Sequence, residues 1–284
     1  MIISQIIGGL GNQLFQYAAG RCLAIRQQTE LALDISGFNA YKLRTFDLEA
    51  FEARYRYSTD AENSVYHQRG FAGKLRDRLL PMAWRKVYRE PHFHFHPRIF
   101  KTSSNIYLKG YWQSEKYFSP VASQIREELV MKPSFYEKVA ELGKTMSSQP
   151  SVSVHVRRGD YTNPEVLRVH GILSPEYYRT AMQSFSDQDP NTVFYFFTDD
   201  FQWVKDNLPA KNAVLVSGVQ SQTHFEDFWL MSQCRHNIIA NSSFSWWAAW
   251  LNNNPGKQVI APLQWFNEKK ADTKDLIPAG WRRV

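Results

Sequence analysis

The sequence predicts an α/β protein made of two α/β domains with a cleft between them, and three observations carry that prediction. Residues 1–35 read as strand, Gly-rich turn, helix and strand, the opening of a βαβ unit that leads to a parallel sheet. From Ser151 onward, strand-like and helix-like runs alternate cleanly. The polar clusters fall where apolar runs stop, at the carboxyl ends of strands, which is where open α/β sheets gather ligand-binding groups.

The first strand is expected over residues 2–7, the first helix over about 12–27 and a second strand over 30–35. Between 41 and 98, charges, aromatics and short apolar runs mix without a clear period, as in an irregular or helical insertion. Residues 106–112 resemble a strand. Ser119-Pro120, with a capping hydroxyl and Pro in the first turn, then opens an amphipathic helix through Val121, Ile125 and Leu129. A second helix follows through Lys144, and residues 147–150 look like a linker, so the domains are taken as 1–149 and 150–284. In the second domain strands are expected near 151–157, 193–198, 213–217, 236–240 and 257–261, and helices near 174–186, 200–208, 224–234 and 243–252. No internal repeat or low-complexity segment interrupts this order.

At 284 residues and 43% hydrophobic content the chain can fill sizeable cores. It has no apolar run long enough to cross a bilayer, and its start lacks the basic flank and cleavage site of a signal peptide, so a cytoplasmic protein is expected. Cys22 and Cys234 lie in opposite halves without metal-type spacing, which argues for core thiols over a disulfide framework or structural zinc. A net charge of +7 favours anionic partners: nucleic acid, a membrane face or a phosphorylated substrate. The charge is dispersed and does not choose among them. Aromatics reach 15%, with nine Trp; such rings stack on sugars but also fill cores.

Four strand ends carry chemistry. His155-Val156-Arg157-Arg158-Gly159-Asp160 ends an apolar run at two guanidinium groups, whose donor forks match the oxygens of a diphosphate. An ordinary salt-bridged turn is the competing reading. Gly8-Gly9-Leu10-Gly11-Asn12-Gln13 joins the first strand to the first helix, where backbone N–H groups suit an anion. Gly9 and Gly11 fit a dinucleotide fingerprint and Asp34 lies at a ribose-binding distance, but Leu14 stands where a third glycine should allow close helix–strand packing. Asn12 and Gln13 offer neutral amides, and a structural tight turn stays open. Asp199 and Asp200 follow the strand near 193–198; one of two such neighbours usually caps the next helix while the other faces the cleft, where a carboxylate can accept both N–H groups of a guanine edge. Asn241-Ser242-Ser243-Phe244 opens another helix, with hydroxyls and helix N–H groups converging as for a phosphate or as a simple cap. In a strand, His92, His94 and His96 would share one face, but no carboxylate or cysteine is evidently positioned to complete a metal site.

Taken together with Gly110-Tyr111-Trp112-Gln113-Ser114 and Phe197-Thr198-Asp199-Asp200, these motifs resemble the bacterial α-1,2-fucosyltransferases of glycosyltransferase family 11, from residue 8 to the end of the chain. The resemblance implies a GT-B-like arrangement of two Rossmann-type domains, acceptor-side first and GDP-fucose-binding second, with no required metal and no cofactor beyond the donor substrate. It implies that Arg157 grips the β-phosphate with His155 by the nucleotide, that Asp199 faces guanine, and that Ser242, Ser243 and Phe244 approach the phosphates. Arg158, Asn241, Gly11 and Gln13 complete the donor site, and Asn12 reaches across from the other domain. Arg157, Arg158 and the helix terminus at Ser242 and Ser243 would stabilise the departing GDP while the acceptor 2-hydroxyl attacks from the opposite face, inverting a β-linked donor to an α-linked product. Asp160 is the candidate base.

A galactose-terminated oligosaccharide is the implied acceptor, with room for a lipid-linked form and for peripheral contact with an anionic inner membrane; nucleic acid is not an expected partner. Two rivals are a transferase using another GDP-sugar and a noncatalytic protein that binds carbohydrate or nucleic acid.

Overall fold

A computed structural model describes residues 1–39, 44–67, 73, 79–159, 167–169, 171–267 and 271–284. They group into two units, Met1–Val130 with Asp272–Leu276, and Met131–Ala271 with Ile277–Val284. The division falls before the linker expected at 147–150, because the helix there, α4 (Ala140–Ser148), packs on the second unit. Ser147 and Ser148 are its last turn.

The first unit holds β1 (Ile2–Gln5), β2 (Leu31–Asp34), β3 (Arg56–Tyr57), β4 (Val87–Arg89) and β5 (Ile106–Lys109), with α1 (Leu10–Arg26), α2 (Asp60–His67) and α3 (Ala122–Glu128). The strands pair in parallel in the order β3-β2-β1-β5-β4, with Ile2 opposite both Leu31 and Ile106. β3 and β4 lie in the stretch expected to be irregular or helical. Ile2, Ile3 and Ser4 of β1 are buried on both faces of the strand, as expected where helices and loops cover a parallel sheet on both sides. α1 is buried almost all round, and Gly20 lets it approach the sheet: a Cβ there would lie 3.0 Å from Leu31 and 3.1 Å from Ser4. Close helix–strand packing, which the side chain of Leu14 does not allow, is thus supplied at Gly20, less than two turns further along.

α1 and α3 are joined by a buried polar cluster. Glu128, 3% exposed, accepts hydrogen bonds from Tyr17 Oη at 2.6 Å and Arg21 Nη2 at 2.7 Å. Burial alone would raise the Glu128 pKa, but the bonds from Arg21 and Tyr17 hold it below its ordinary value.

The second unit holds β6 (Ser151–Val156), β7 (Val193–Thr198), β8 (Ala213–Leu215), β9 (His236–Ile238), β10 (Val259–Ala261) and β11 (Arg282–Arg283). Besides α4 its helices are α5 (Pro175–Ser186), α6 (Phe201–Asn207), α7 (His224–Gln233) and α8 (Ser243–Leu251). All strand pairs are parallel, in the order β11-β10-β9-β6-β7-β8. All six residues of β6 are buried, and Val152, Val154 and Val156 pack with Phe194, Phe196, Tyr178 and Phe185 in one core. Ser174, Asp200, Thr223 and Ser242 cap α5, α6, α7 and α8 with their side chains, so four expected helix starts are set by local chemistry. Cys22 and Cys234 are buried free thiols.

His92, His94 and His96 do not lie on a strand. Residues 92–94 bend, His92 and His94 stack with ring centroids 3.5 Å apart, and His96 meets His92 edge-on at 5.1 Å. Among the described residues no group of three His, Cys, Asp or Glu side chains is arranged to hold a metal ion. No described helix is long and apolar enough to cross a membrane.

Candidate active site

In each sheet the chain builds outward from one strand and then returns to the other side of it, which leaves a crevice at the carboxyl ends of two neighbouring strands. In the second unit β7 and β8 extend one way from β6, and β9, β10 and β11 extend the other. The switch point therefore lies between β6 and β9. The segments leaving these two strands are His155–Gly159 and Asn241–Phe244, so two of the motifs singled out in the sequence meet there, with Asp199 and Asp200 leaving β7 alongside.

The two arginines of this turn are held differently. Arg158 Nε contacts Asp200 Oδ2 at 3.1 Å, and its guanidinium lies 4.3 Å from the centre of the Trp203 ring. Asp200 Oδ1 also accepts the Trp203 N–H at 3.1 Å as the cap of α6. Arg158 is thereby anchored to α6. Asp199 Oδ1 accepts the Arg158 backbone N–H at 2.9 Å, and its Oδ2 lies 3.6 Å from Arg157 Nε. The Asp199 side chain is 34% exposed, and a carboxylate has lone pairs beyond those two contacts.

His155 is 6% exposed, and its Nδ1 has no hydrogen-bond partner among the described residues. Burial, with the Arg157 charge adding to it, pushes its pKa down to about 3. The ring is therefore neutral near pH 7, and it lies 5.8 Å from the ring of Phe244. Ser242 Oγ accepts the Phe244 N–H at 3.4 Å, and α8 starts here with its first-turn N–H groups at the sheet edge. Asn241 has a different task. Its Nδ2 donates to the carbonyls of Gly171 and Trp265, tying two loops together beside a cavity of about 240 Å³. Asp160 lies outside the described residues.

The first unit has its own switch point, between β1 and β5. The turn Gly8–Gln13 leaves β1, and Gly110–Ser114 leaves β5. Gly8 turns with φ +81°, and Asn12 Oδ1 accepts a 2.6 Å hydrogen bond from Gln113 Nε2, which links the two motifs. Gln13 is fully buried. Its Nε2 donates to Gly8 O at 2.9 Å and Thr45 O at 2.8 Å, and its Oε1 accepts the Asp47 N–H at 2.8 Å. Its amide thus fastens the Gly-rich turn to the 45–47 loop. Gly11 lies buried in the first turn of α1. Glu90, at the end of β4, escaped the sequence reading although its carboxylate accepts the N–H groups of Tyr111 and Trp112; no motif surrounds it to mark it.

Residues 83–284 match the model of Glycosyl transferase family 11. The chain is 30% identical to an α-1,2-colitosyltransferase of Escherichia coli, over 100% of this chain and 99% of that protein. It is 32% identical to the O-antigen biosynthesis glycosyltransferase WbnK of Escherichia coli, over 96% and 98%. Galactoside α-(1,2)-fucosyltransferase 1 of Homo sapiens is 30% identical over 154 residues, which cover 51% of this chain and 42% of that one. Among solved structures, NodZ α-1,6-fucosyltransferase of Bradyrhizobium, soaked with GDP-fucose, aligns with a TM-score of 0.52 at 15% identity over 88% of this chain and 91% of that one. At that identity the likeness is one of fold: two Rossmann-type α/β units of the GT-B-like class.

Proposed function

The chain belongs to glycosyl transferase family 11, and from that premise we propose that it is an inverting α-1,2-fucosyltransferase, moving L-fucose from GDP-β-L-fucose to the 2-hydroxyl of a terminal galactose. The observation that carries the reading is the β6–β9 switch point, where Arg157 and the first turn of α8 leave neighbouring strand ends. The names of the relatives add the α-1,2 linkage and the galactoside.

In this reading residues 150–284 serve the nucleotide and 1–149 the acceptor. As the sugar–phosphate bond lengthens, negative charge grows on the diphosphate. Arg157 meets it with a guanidinium held in place by Asp199, and the N–H groups and hydroxyls of Ser242 and Ser243 add neutral donors. Arg158, paired with Asp200 and stacked on Trp203, fixes the turn that presents Arg157. His155 supplies a neutral hydrogen-bonding group, which avoids adding a charge of either sign next to the pyrophosphate. Phe244 packs against it, Asn241 holds the loops behind it, and Asp199 offers its remaining lone pairs to guanine. Gly11, Asn12 and Gln13 shape the β1 turn, and Asp160 is kept as the base to be tested by Asp160→Asn. The acceptor is an oligosaccharide, and the dispersed positive charge suits one carried on an anionic membrane.

The test is GDP release from GDP-fucose, GDP-colitose and GDP-mannose with a panel of β-galactosides, each with and without EDTA. Release with GDP-fucose that persists in the chelator is expected. Turnover with GDP-colitose or GDP-mannose but not GDP-fucose would reassign the donor, and loss of activity in EDTA would overturn metal independence.

A further inference from the structure

Gly110-Tyr111-Trp112-Gln113-Ser114 has no part in the donor chemistry above, yet it is a tightly constrained turn. Trp112 is fully buried and adopts a left-handed backbone with φ +58°, a conformation disfavoured for a bulky residue. Glu90 holds it there: Oε2 accepts the Tyr111 N–H at 2.7 Å and Oε1 accepts the Trp112 N–H at 3.1 Å. The fit requires a glycine at 110, since a Cβ would lie 2.5 Å from Glu90 Cβ and 2.7 Å from its Oε2. Trp112 is wedged in place, stacked on Tyr88 at 5.8 Å and edge-on to Tyr117 at 5.4 Å. On one side Gln113 reaches Asn12; on the other Ser114 Oγ donates to Asp275 O at 2.6 Å.

While its neighbours Trp112, Gln113 and Ser114 are buried, Tyr111 keeps 42% of its surface exposed. A partly exposed aromatic ring at the switch point of a parallel sheet, in the turn that Gln113 ties to Asn12, has the chemistry of a sugar platform: an apolar face for the C–H groups of a pyranose ring. Backbone strain stabilised by the surrounding structure clusters at such sites. Burial pushes the Glu90 carboxyl up to about 7, against the lowering effect of its two N–H donors.

We propose that the 110–114 turn is the subsite for the acceptor sugar, with Tyr111 as the stacking platform for a neutral galactopyranose and Glu90 as the positioning residue that fixes the platform. The proposal rests on the reading of the chain as a galactoside-directed transferase.

The experiment measures lactose binding directly, by saturation-transfer NMR with GDP present, alongside KM for lactose and for GDP-fucose. Tyr111→Ala is expected to weaken lactose binding and raise its KM about tenfold, a loss of roughly 1.4 kcal/mol, as for one aromatic contact. KM for GDP-fucose should not change, and Tyr111→Phe, which keeps the ring, should stay within about twofold of wild type. Glu90→Gln places an amide N–H₂ against a backbone N–H donor and should raise the lactose KM without moving the GDP-fucose KM. Lactose affinity unchanged in Tyr111→Ala, a parallel rise in both KM values, or no lactose binding to wild type would overturn the subsite. If wild type turns over no GDP-sugar but binds lactose through Tyr111, the transferase reading fails and the subsite stands.

Discussion

Arg157 and Arg158 are neighbours in sequence with different surroundings. Arg158 is ion-paired to Asp200 and stacked on Trp203, so its charge is committed to the fold, whereas Arg157 has a longer 3.6 Å contact to Asp199. In the proposed function Arg157 is the one that meets the charge appearing during the reaction. Arg157→Ala should lower kcat about a thousandfold, or roughly 4 kcal/mol of activation free energy, with thermal unfolding close to wild type. Steady-state GDP release and a melting curve check both halves, and activity near wild type would remove Arg157 from the chemistry. Residue types at this site were legible because charge at the end of an apolar run is rare enough to notice. Their partners were not. That Gln13 is fully buried against Thr45 and Asp47, or that Asn241 faces Gly171 and Trp265, depends on loops far away in sequence.

At the scale of elements, the first unit depends on a polar joint between two helices. Glu128 is buried against Arg21 and Tyr17, and removing it leaves a guanidinium and a phenol without the acceptor they share. Glu128→Ala should cost about 3 kcal/mol, at the low end for a broken buried pair because Arg21 keeps some exposure. A fall in the urea midpoint at constant slope would show it, and an unchanged midpoint would mean that water satisfies both partners. The same joint shows what periodicity reads and what it misses. Helices announced by Ser174-Pro175, Asp200 and Ser242 begin where expected, because a cap is a local interaction among three or four residues. β3, β4 and β11, of two or three residues each, lie among charged residues without the apolar run that marks the equally short β9 and β10. The histidine alternation at 92–96 misled for the opposite reason: a period of two is also compatible with a bent segment in which the rings stack on each other.

At the scale of the whole molecule, strand order decides where ligands go, and order is not a local property. The sequence marks β1, β5, β6 and β9 as strands but not that β1 adjoins β5 or β6 adjoins β9; those neighbours are set by pairing across long separations. The two resulting switch points divide the motifs between the units, with the arginine and serine turns at β6–β9, proposed above for the phosphates, and the tyrosine turn at β1–β5. A nucleotide bound at the first of these should leave a footprint there. At GDP a hundredfold above its Kd, opening that requires GDP to leave is disfavoured by about 2.7 kcal/mol, so amides that exchange through such opening should slow roughly a hundredfold. Hydrogen–deuterium exchange with GDP should therefore protect peptides covering 155–159, 198–200 and 241–245. Peptides covering 110–114 should respond to lactose instead. Protection by GDP confined to the first unit would assign the nucleotide to the β1–β5 crevice, and the Gly8–Gln13 turn would then take over the role given to Arg157.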